Sequence, residues 1–259
     1  MLEIKDLCVS YGEKTVVNHF HLKLEQGRIC TIAGESGSGK TTVIRAVFGL
    51  LAAGGRVMAG DILFEGKSLL SGSKEEWRKL RGMGMSMIFQ DTGAMLNPIR
   101  TIGSQFVEYI RIHERMPKKQ AWEKAVSMLR RMQLPDSERV MKSCVFQLSG
   151  GMRQRVGIAM AMTFQPKLLL ADEPTSALDA VTQAEIVRQM KDLRKENTSI
   201  MMVTHNLGVA AFMSDEIILM KDGKITDRGD KEHLLQSENA YTGKLLDAVF
   251  ALGGKRYVS

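Results

Sequence analysis

Residues 34–41 read GESGSGKT, between the apolar segment RICTIAG and the amphipathic segment KTTVIRAVFGLL. That placement decides the fold. The pattern G-x-x-x-x-G-K-[ST] between a strand and a helix is a phosphate-binding loop. Gly34, Gly37 and Gly39 let the backbone curl until successive N–H groups turn inward, with Glu35, Ser36 and Ser38 completing the curve. Lys40 brings charge to the β- and γ-phosphates, the Thr41 hydroxyl reaches Mg2+, and the helix start adds its dipole. The expected Mg-ATP contact therefore runs from Gly34 to Thr42. A glycine turn of purely structural use is the alternative, and the flanking strand and helix speak against it.

Working outward, Leu2 and Ile4, Leu7 and Val9, then Phe20, Leu22 and Leu24 alternate as half-buried antiparallel strands do. The helix after the loop carries Val43, Ile44, Val47, Phe48 and Leu51 on its apolar face. Asp61–Leu63 and the turn Glu65-Gly66 predict an edge hairpin. Met83, Met85 and Met87 fall on one face of an extended strand, where core filling is preferred to a thioether metal site.

From Thr101 the period changes to a helical one. Ile102, Phe106, Tyr109 and Ile110 share one face, and Trp122, Ala125, Leu129 and Met132 another, with Pro117 and Pro135 as punctuation. This reads as a helical insertion. Leu168–Ala171 then suits a central parallel strand. A helix over Thr182–Glu196, the strand SIMMVTH, a hairpin turning at Asp222-Gly223 and a short helix over Tyr241–Phe250 complete the chain.

Asp172 closes the Leu168–Ala171 strand, where a carboxylate holds Mg2+ through its waters; Glu173 follows as general base for the attacking water. Adjacent carboxylates at an apolar strand end are costly without a cation. Their bland reading is a solvated helix start before Pro174. His205 ends SIMMVTH within reach of a γ-phosphate, and the amide of Gln90, after MSMIF, suits both Mg2+ and the water. Alone, neither residue decides anything.

A chain of 259 residues with 44% hydrophobic and 25% charged residues fits a globular fold, not a disordered one. Cys8, Cys30 and Cys144 are scattered, which argues against a disulfide framework, a zinc site or an iron–sulfur cluster. The net charge of +7 is spread along the chain. It is read as a solvated surface mildly attracted to anionic lipid rather than as a nucleic-acid interface. The start MLEIKDLCVSYGEK has no apolar signal core, and no apolar run reaches the ~18 residues of a membrane span. A cytosolic protein is expected.

LSGGMRQR, Leu148–Arg155, resembles the signature of ABC ATPases. With the phosphate loop, Gln90, ADEP ending at Pro174, SALD at Ser176–Asp179 and His205 in that order, the resemblance covers essentially the whole chain. It implies an ATPase with an α/β P-loop NTPase (RecA-like) core, an N-terminal antiparallel β-subdomain and an inserted α-helical subdomain. The core is expected over residues 1–92 and 155–235, the helical signature subdomain over 93–154 and a helical tail over 236–259. Ser149, Gly150 and Gly151 open a helix, and the resemblance implies that this end meets the γ-phosphate of ATP held by a second subunit. Tyr11 matches the aromatic that stacks on adenine, an ordinary strand tyrosine being the alternative; Asp179 matches the loop coupling the two sites.

DTGAMLNPIRTIGSQF is similar to the same region of oligopeptide, dipeptide and nickel importer ATPases, except that Thr92 replaces a usual proline. Asn206 likewise stands where an aspartate is usual. An end at Ser259, without a cysteine-bearing extension, suggests the short, nickel-type subunit. The implied partners are a second identical or paralogous ATPase subunit, two membrane permease subunits meeting Gln90–Ile102, and an extracytoplasmic solute-binding protein. The implied location is the cytoplasmic face of the inner membrane, with nickel, a metal chelate or peptide as cargo. An ABC ATPase acting on nucleic acid or ribosomes is the alternative, although that group usually carries tandem domains or a long coiled coil. A nucleotide kinase or GTPase fits less well, for no N-K-x-D pattern is present and LSGGMRQR has no task there.

Overall fold

β1 (Leu2–Tyr11) and β2 (Lys14–Leu24) run antiparallel, pairing Ile4 with Leu22, Leu7 with Phe20 and Val9 with Val17. The buried positions switch from even to odd because the register slips between Ile4 and Leu7, where Asp6 adopts φ 50°. One extra residue turns the later side chains back to the core face. The chain then enters β3 (Ile29–Ala33), buried throughout, and α1 (Lys40–Val47). α1 stops four residues short of Leu51. Gly49, at φ 66°, takes the left-handed conformation that ends helices, so Phe48 and Leu51 lie beyond the helix that was expected to include them. β4 (Gly55–Phe64) pairs with β1, and β5 (Lys67–Ser68) with β4, giving an antiparallel sheet in the order β2-β1-β4-β5.

The computed structural model describes residues 1–176, 178–193 and 197–253. They form two compact units, residues 1–72 with 199–259 and residues 73–198. In the second unit, α2 (Lys74–Leu80) precedes β6 (Met85–Ile88). Met85 and Met87 are buried, but Met83 sits in the preceding turn, 41% exposed, so the strand does not extend to it. α3 (Thr92–Met95), α4 (Ile102–His113), α5 (Lys118–Arg131) and α6 (Ser137–Lys142) follow. Phe106 and Ile110 on α4 and Ala125 and Leu129 on α5 are fully buried, as their spacing predicts. α7 (Gly150–Met162) leads to β7 (Leu168–Asp172), parallel to β6, and then to α8 (Ala180–Leu193). The expected helix end at Glu196 lies outside the described residues, as does Ala177 of SALD.

The chain returns to the first unit with β8 (Ser199–Thr204), α9 (Leu207–Met213), β9 (Glu216–Lys221) and β10 (Lys224–Gly229). β3 is flanked by β8 and β9, both parallel to it, and β10 closes the edge antiparallel to β9. The β9–β10 turn has φ 48° at Asp222 and 79° at Gly223, the two positive values a tight hairpin needs. α10 (Lys231–Leu235) and α11 (Ala240–Gly253) end the described chain; the last residues of the expected tail, 254–259, lie outside it. No helix among the described residues is long and apolar enough to cross a membrane.

Candidate active site

β3 delivers the chain directly to the phosphate loop. Gly34 adopts φ 146°, and a Cβ there would lie 2.1 Å from the Met220 carbonyl oxygen. Gly39 adopts φ 98°, and its Cβ would lie 2.7 Å from the Val16 carbonyl oxygen. Only glycine satisfies both the angle and the space. Lys40, 5% exposed, curls over the loop: its Nζ donates to the carbonyls of Gly34 at 2.8 Å and Glu35 at 2.6 Å. Ser38 is buried against this ammonium, while Glu35, Ser36 and Gly37 face solvent. α1 has no side-chain cap and no acid in its first turn, so no protein carboxylate there competes with an incoming phosphate. Thr41 and Thr42 lie half-buried in that first turn.

Also in this unit, Tyr11 ends β1 half-buried, opposite Gly55; a Cβ on Gly55 would lie 2.7 Å from the tyrosine ring. His205 is exposed immediately after β8. The next residue explains a departure noted above. Asn206 caps α9, its Oδ1 accepting the Val209 N–H at 3.1 Å, a task asparagine and aspartate perform equally well.

One contact in this unit was not legible in the sequence. The Glu35 N–H donates to the Tyr241 hydroxyl at 3.1 Å, linking the loop to α11. Tyr241 reads in sequence only as the start of a short helix; the sole signal is a polar-tipped aromatic in an apolar stretch.

In the second unit, Asp172 ends β7 at 2% exposure and Glu173 follows at φ 46°, a left-handed conformation uncommon outside glycine. Gln90, exposed after β6, places its Nε2 3.5 Å from Glu173 Oε2, so the structure brings these two together. Ser149 caps α7, its Oγ accepting the Met152 N–H at 3.3 Å, with Gly150 and Gly151 in the first turn. Asp179 caps α8: the N–H of Thr182 donates to it at 3.0 Å, its hydroxyl at 2.7 Å, and the Val181 N–H at 3.1 Å. The Thr182 bonds above all hold this carboxyl below its ordinary value. Thr92, the other departure, is buried and donates to Gln154 Oε1 of α7 at 3.0 Å.

The donors suit Mg2+ carried by a nucleotide. No group of three or more His, Cys, Asp or Glu able to hold a metal occurs among the described residues. A nucleotide-borne Mg2+ needs no such cage, only one or two hard oxygens beside phosphates and waters. The first unit offers such an oxygen in the Thr41 hydroxyl, and the second unit, taken by itself, offers them in the Asp172 carboxylate and the Gln90 amide.

A phosphate loop after a buried strand, paired acids at the end of another and a capped, glycine-opened signature helix define a nucleotide-hydrolysing P-loop protein. The family described as ABC transporter matches residues 17–176, and the chain belongs to that family. The oligopeptide transport ATP-binding protein OppD of Escherichia coli is 42% identical over 255 residues, covering 96% of this chain and 75% of its own. AppD of Bacillus subtilis, also an oligopeptide transport ATP-binding protein, is 39% identical over 98% of this chain and 80% of its own. Among solved structures, dimeric MJ0796, a bacterial ABC transporter cassette, superposes with TM-score 0.79 at 27% identity, covering 89% of this chain and 98% of that one. Its post-hydrolysis state with ADP and Pi gives 0.78. The α/β fold is that of these cassettes, and the protein is an ATPase.

Proposed function

We propose that this chain is the ATP-hydrolysing subunit of a membrane importer for peptides, acting as one half of a head-to-tail pair. The observation that carries the reading is the buried Lys40, held on the carbonyls of its own glycine loop at the cap-less start of α1. In the proposed cycle Gly34–Thr42 receive the phosphates and Tyr11 stacks on adenine. Ser149, Gly150 and Gly151 of the facing subunit close on the γ-phosphate, and Asp179 lies in the loop that links the two sites. The Glu173 carboxylate takes a proton from the attacking water, whose oxygen bonds to the γ-phosphorus as the bond to the β-phosphate oxygen breaks. Gln90 orients that water and His205 donates to the γ-phosphate. Thr41, Gln90 and, through water, Asp172 would hold Mg2+, which neutralises phosphate charge when bound.

Peptide is the proposed cargo, in place of the nickel subunit suggested by chain length, because the relatives reported above are oligopeptide transport proteins. The same names weigh against action on nucleic acid. The proposed partners are an identical or paralogous ATPase subunit, two permease subunits and an extracytoplasmic solute-binding protein, at the inner membrane's cytoplasmic face. The residues expected as the helical signature subdomain, 93–154, are proposed to carry the permease contact at their start, beside Gln90–Ile102.

The test is Glu173→Gln. It keeps the side chain's shape but removes the base, so ATP binding persists, turnover falls about 10²–10⁴-fold and an ATP-bound dimer accumulates in size-exclusion chromatography. Wild-type turnover in this variant removes Glu173 from the base role.

A further inference from the structure

We propose that Tyr241 is a positioning residue for the nucleotide loop, its hydroxyl holding the Gly34–Glu35 peptide in the orientation that receives phosphate. The inference rests on the nucleotide-site reading above and adds a residue that none of the loop motifs contains.

The peptide plane between Gly34 and Glu35 is held at both ends. Its carbonyl, that of Gly34, accepts from Lys40 Nζ at 2.8 Å, and its N–H, that of Glu35, donates to Tyr241 Oη at 3.1 Å. A trans peptide points these two groups in opposite directions, so Lys40 and Tyr241 grip the plane from its two sides. Gly34 needs such a grip, because a glycine is the residue about which a peptide flips most readily. A flip would turn the N–H toward the Lys40 ammonium and the carbonyl toward the tyrosine. The lysine would then lose an acceptor where it is expected to meet phosphate.

The hydroxyl is well placed to resist this. Tyr241 is 8% exposed, and its Oη donates in turn to the Met220 carbonyl at 3.3 Å, the same oxygen against which Gly34 packs. The tyrosine is itself fixed from the neighbouring turn. Asn239 Oδ1 accepts the Tyr241 N–H at 2.9 Å, Asn239 Nδ2 donates to the Thr226 carbonyl at 2.9 Å, and the Thr242 hydroxyl donates to Asp227 at 2.6 Å. The brace thus runs from β10 through the start of α11 to the loop.

A loop that samples a flipped peptide binds nucleotide only from its competent fraction, so apparent affinity falls by that fraction. The test is Tyr241→Phe in the full chain, with Tyr241→Ala beside it. Mg-ATP is titrated calorimetrically, and thermal unfolding is followed without nucleotide. Tyr241→Phe keeps the ring and is expected to weaken ATP binding about 3- to 10-fold, the scale of one buried neutral hydrogen bond. The nucleotide-free unfolding midpoint should stay within a few degrees of wild type. If Tyr241→Phe binds ATP as wild type does while Tyr241→Ala does not, the ring merely fills space and the brace is overturned. A wild-type chain without measurable ATP affinity overturns the site reading, and the brace with it.

Discussion

Replacing Thr92 with valine tests whether the departure at this position is built into the fold. Thr92 and Gln154 are 7% and 5% exposed, and the threonine hydroxyl donates to the glutamine Oε1 at 3.0 Å. Gln154 Nε2 finds no partner among the described residues, so this bond carries the whole amide. Valine has nearly the shape of threonine and lacks the hydroxyl, leaving a buried carbonyl unpaired. That costs about 1–3 kcal/mol. At about 2–4 °C per kcal/mol for a chain of this size, a 2 kcal/mol loss lowers the melting midpoint by about 4–8 °C. The assay is thermal unfolding followed by circular dichroism, with three further proteins. Thr92→Ser keeps the hydroxyl and should lose much less. Gln154→Met removes the polar partner, and the double variant Thr92→Val/Gln154→Met should recover part of the loss, since deleting both partners leaves nothing unpaired. A Thr92→Val midpoint within one degree of wild type, or strict additivity in the double variant, would show that the Thr92–Gln154 bond does not stabilise the fold.

Lys40→Ala should weaken ATP binding by about 100-fold or more, since two charge-assisted contacts to phosphate are each worth about 1.5–3 kcal/mol; an unchanged isotherm removes Lys40 from the site. Asp227 makes stability depend on acid. Burial alone would raise this carboxyl, but bonds from the hydroxyls of Ser237 and Thr242 and from the Arg228 N–H outweigh it and hold the group low. A group lowered on folding contributes stability that is present above its unfolded value, roughly 3.9, and lost as pH falls through the folded one. Between pH 5 and 3, wild type should therefore lose more of its melting temperature than Asp227→Asn, and equal slopes would count against the assignment.

Strands and helices whose burial repeats cleanly were legible in the chain. Leu2 and Ile4, or Phe106 and Ile110, announce their faces through spacing alone. Boundaries were less so. The helix after the loop ends at Val47 because Gly49 turns left-handed, a single-residue event inside an apolar run that otherwise reads on to Leu51. Met83 misleads for a related reason: alternation continues into a turn, where period two no longer reports a face. The loop and the acidic strand end were legible because their chemistry needs fixed residue types at fixed spacing. Gln90 was legible only through the resemblance, although the structure sets it 3.5 Å from Glu173 across 83 residues of sequence. Tyr241 was not legible at all, because its role is a hydroxyl delivered by tertiary packing to a backbone N–H 206 residues away.

The start of α1 differs from those of α7, α8 and α9 in what satisfies its first turn. Ser149 caps α7, Asp179 caps α8 and Asn206 caps α9, each side chain accepting a backbone N–H of the first turn. Such caps locate a helix start, and for that reason asparagine serves at 206 as well as aspartate would. α1 starts differently: Gly39 precedes it at φ 98°, with no side-chain cap bond from that position and no acid in the first turn. A serine cap there would need a Cβ only 2.7 Å from the Val16 carbonyl oxygen, so the site refuses the residue that would compete with phosphate. Glycine at 39 therefore does two things at once: it closes the curve of the loop, and it leaves the positive end of α1 for a ligand. The same economy explains why Lys40 rests on carbonyls of its own loop, neutral partners that an incoming phosphate can outcompete.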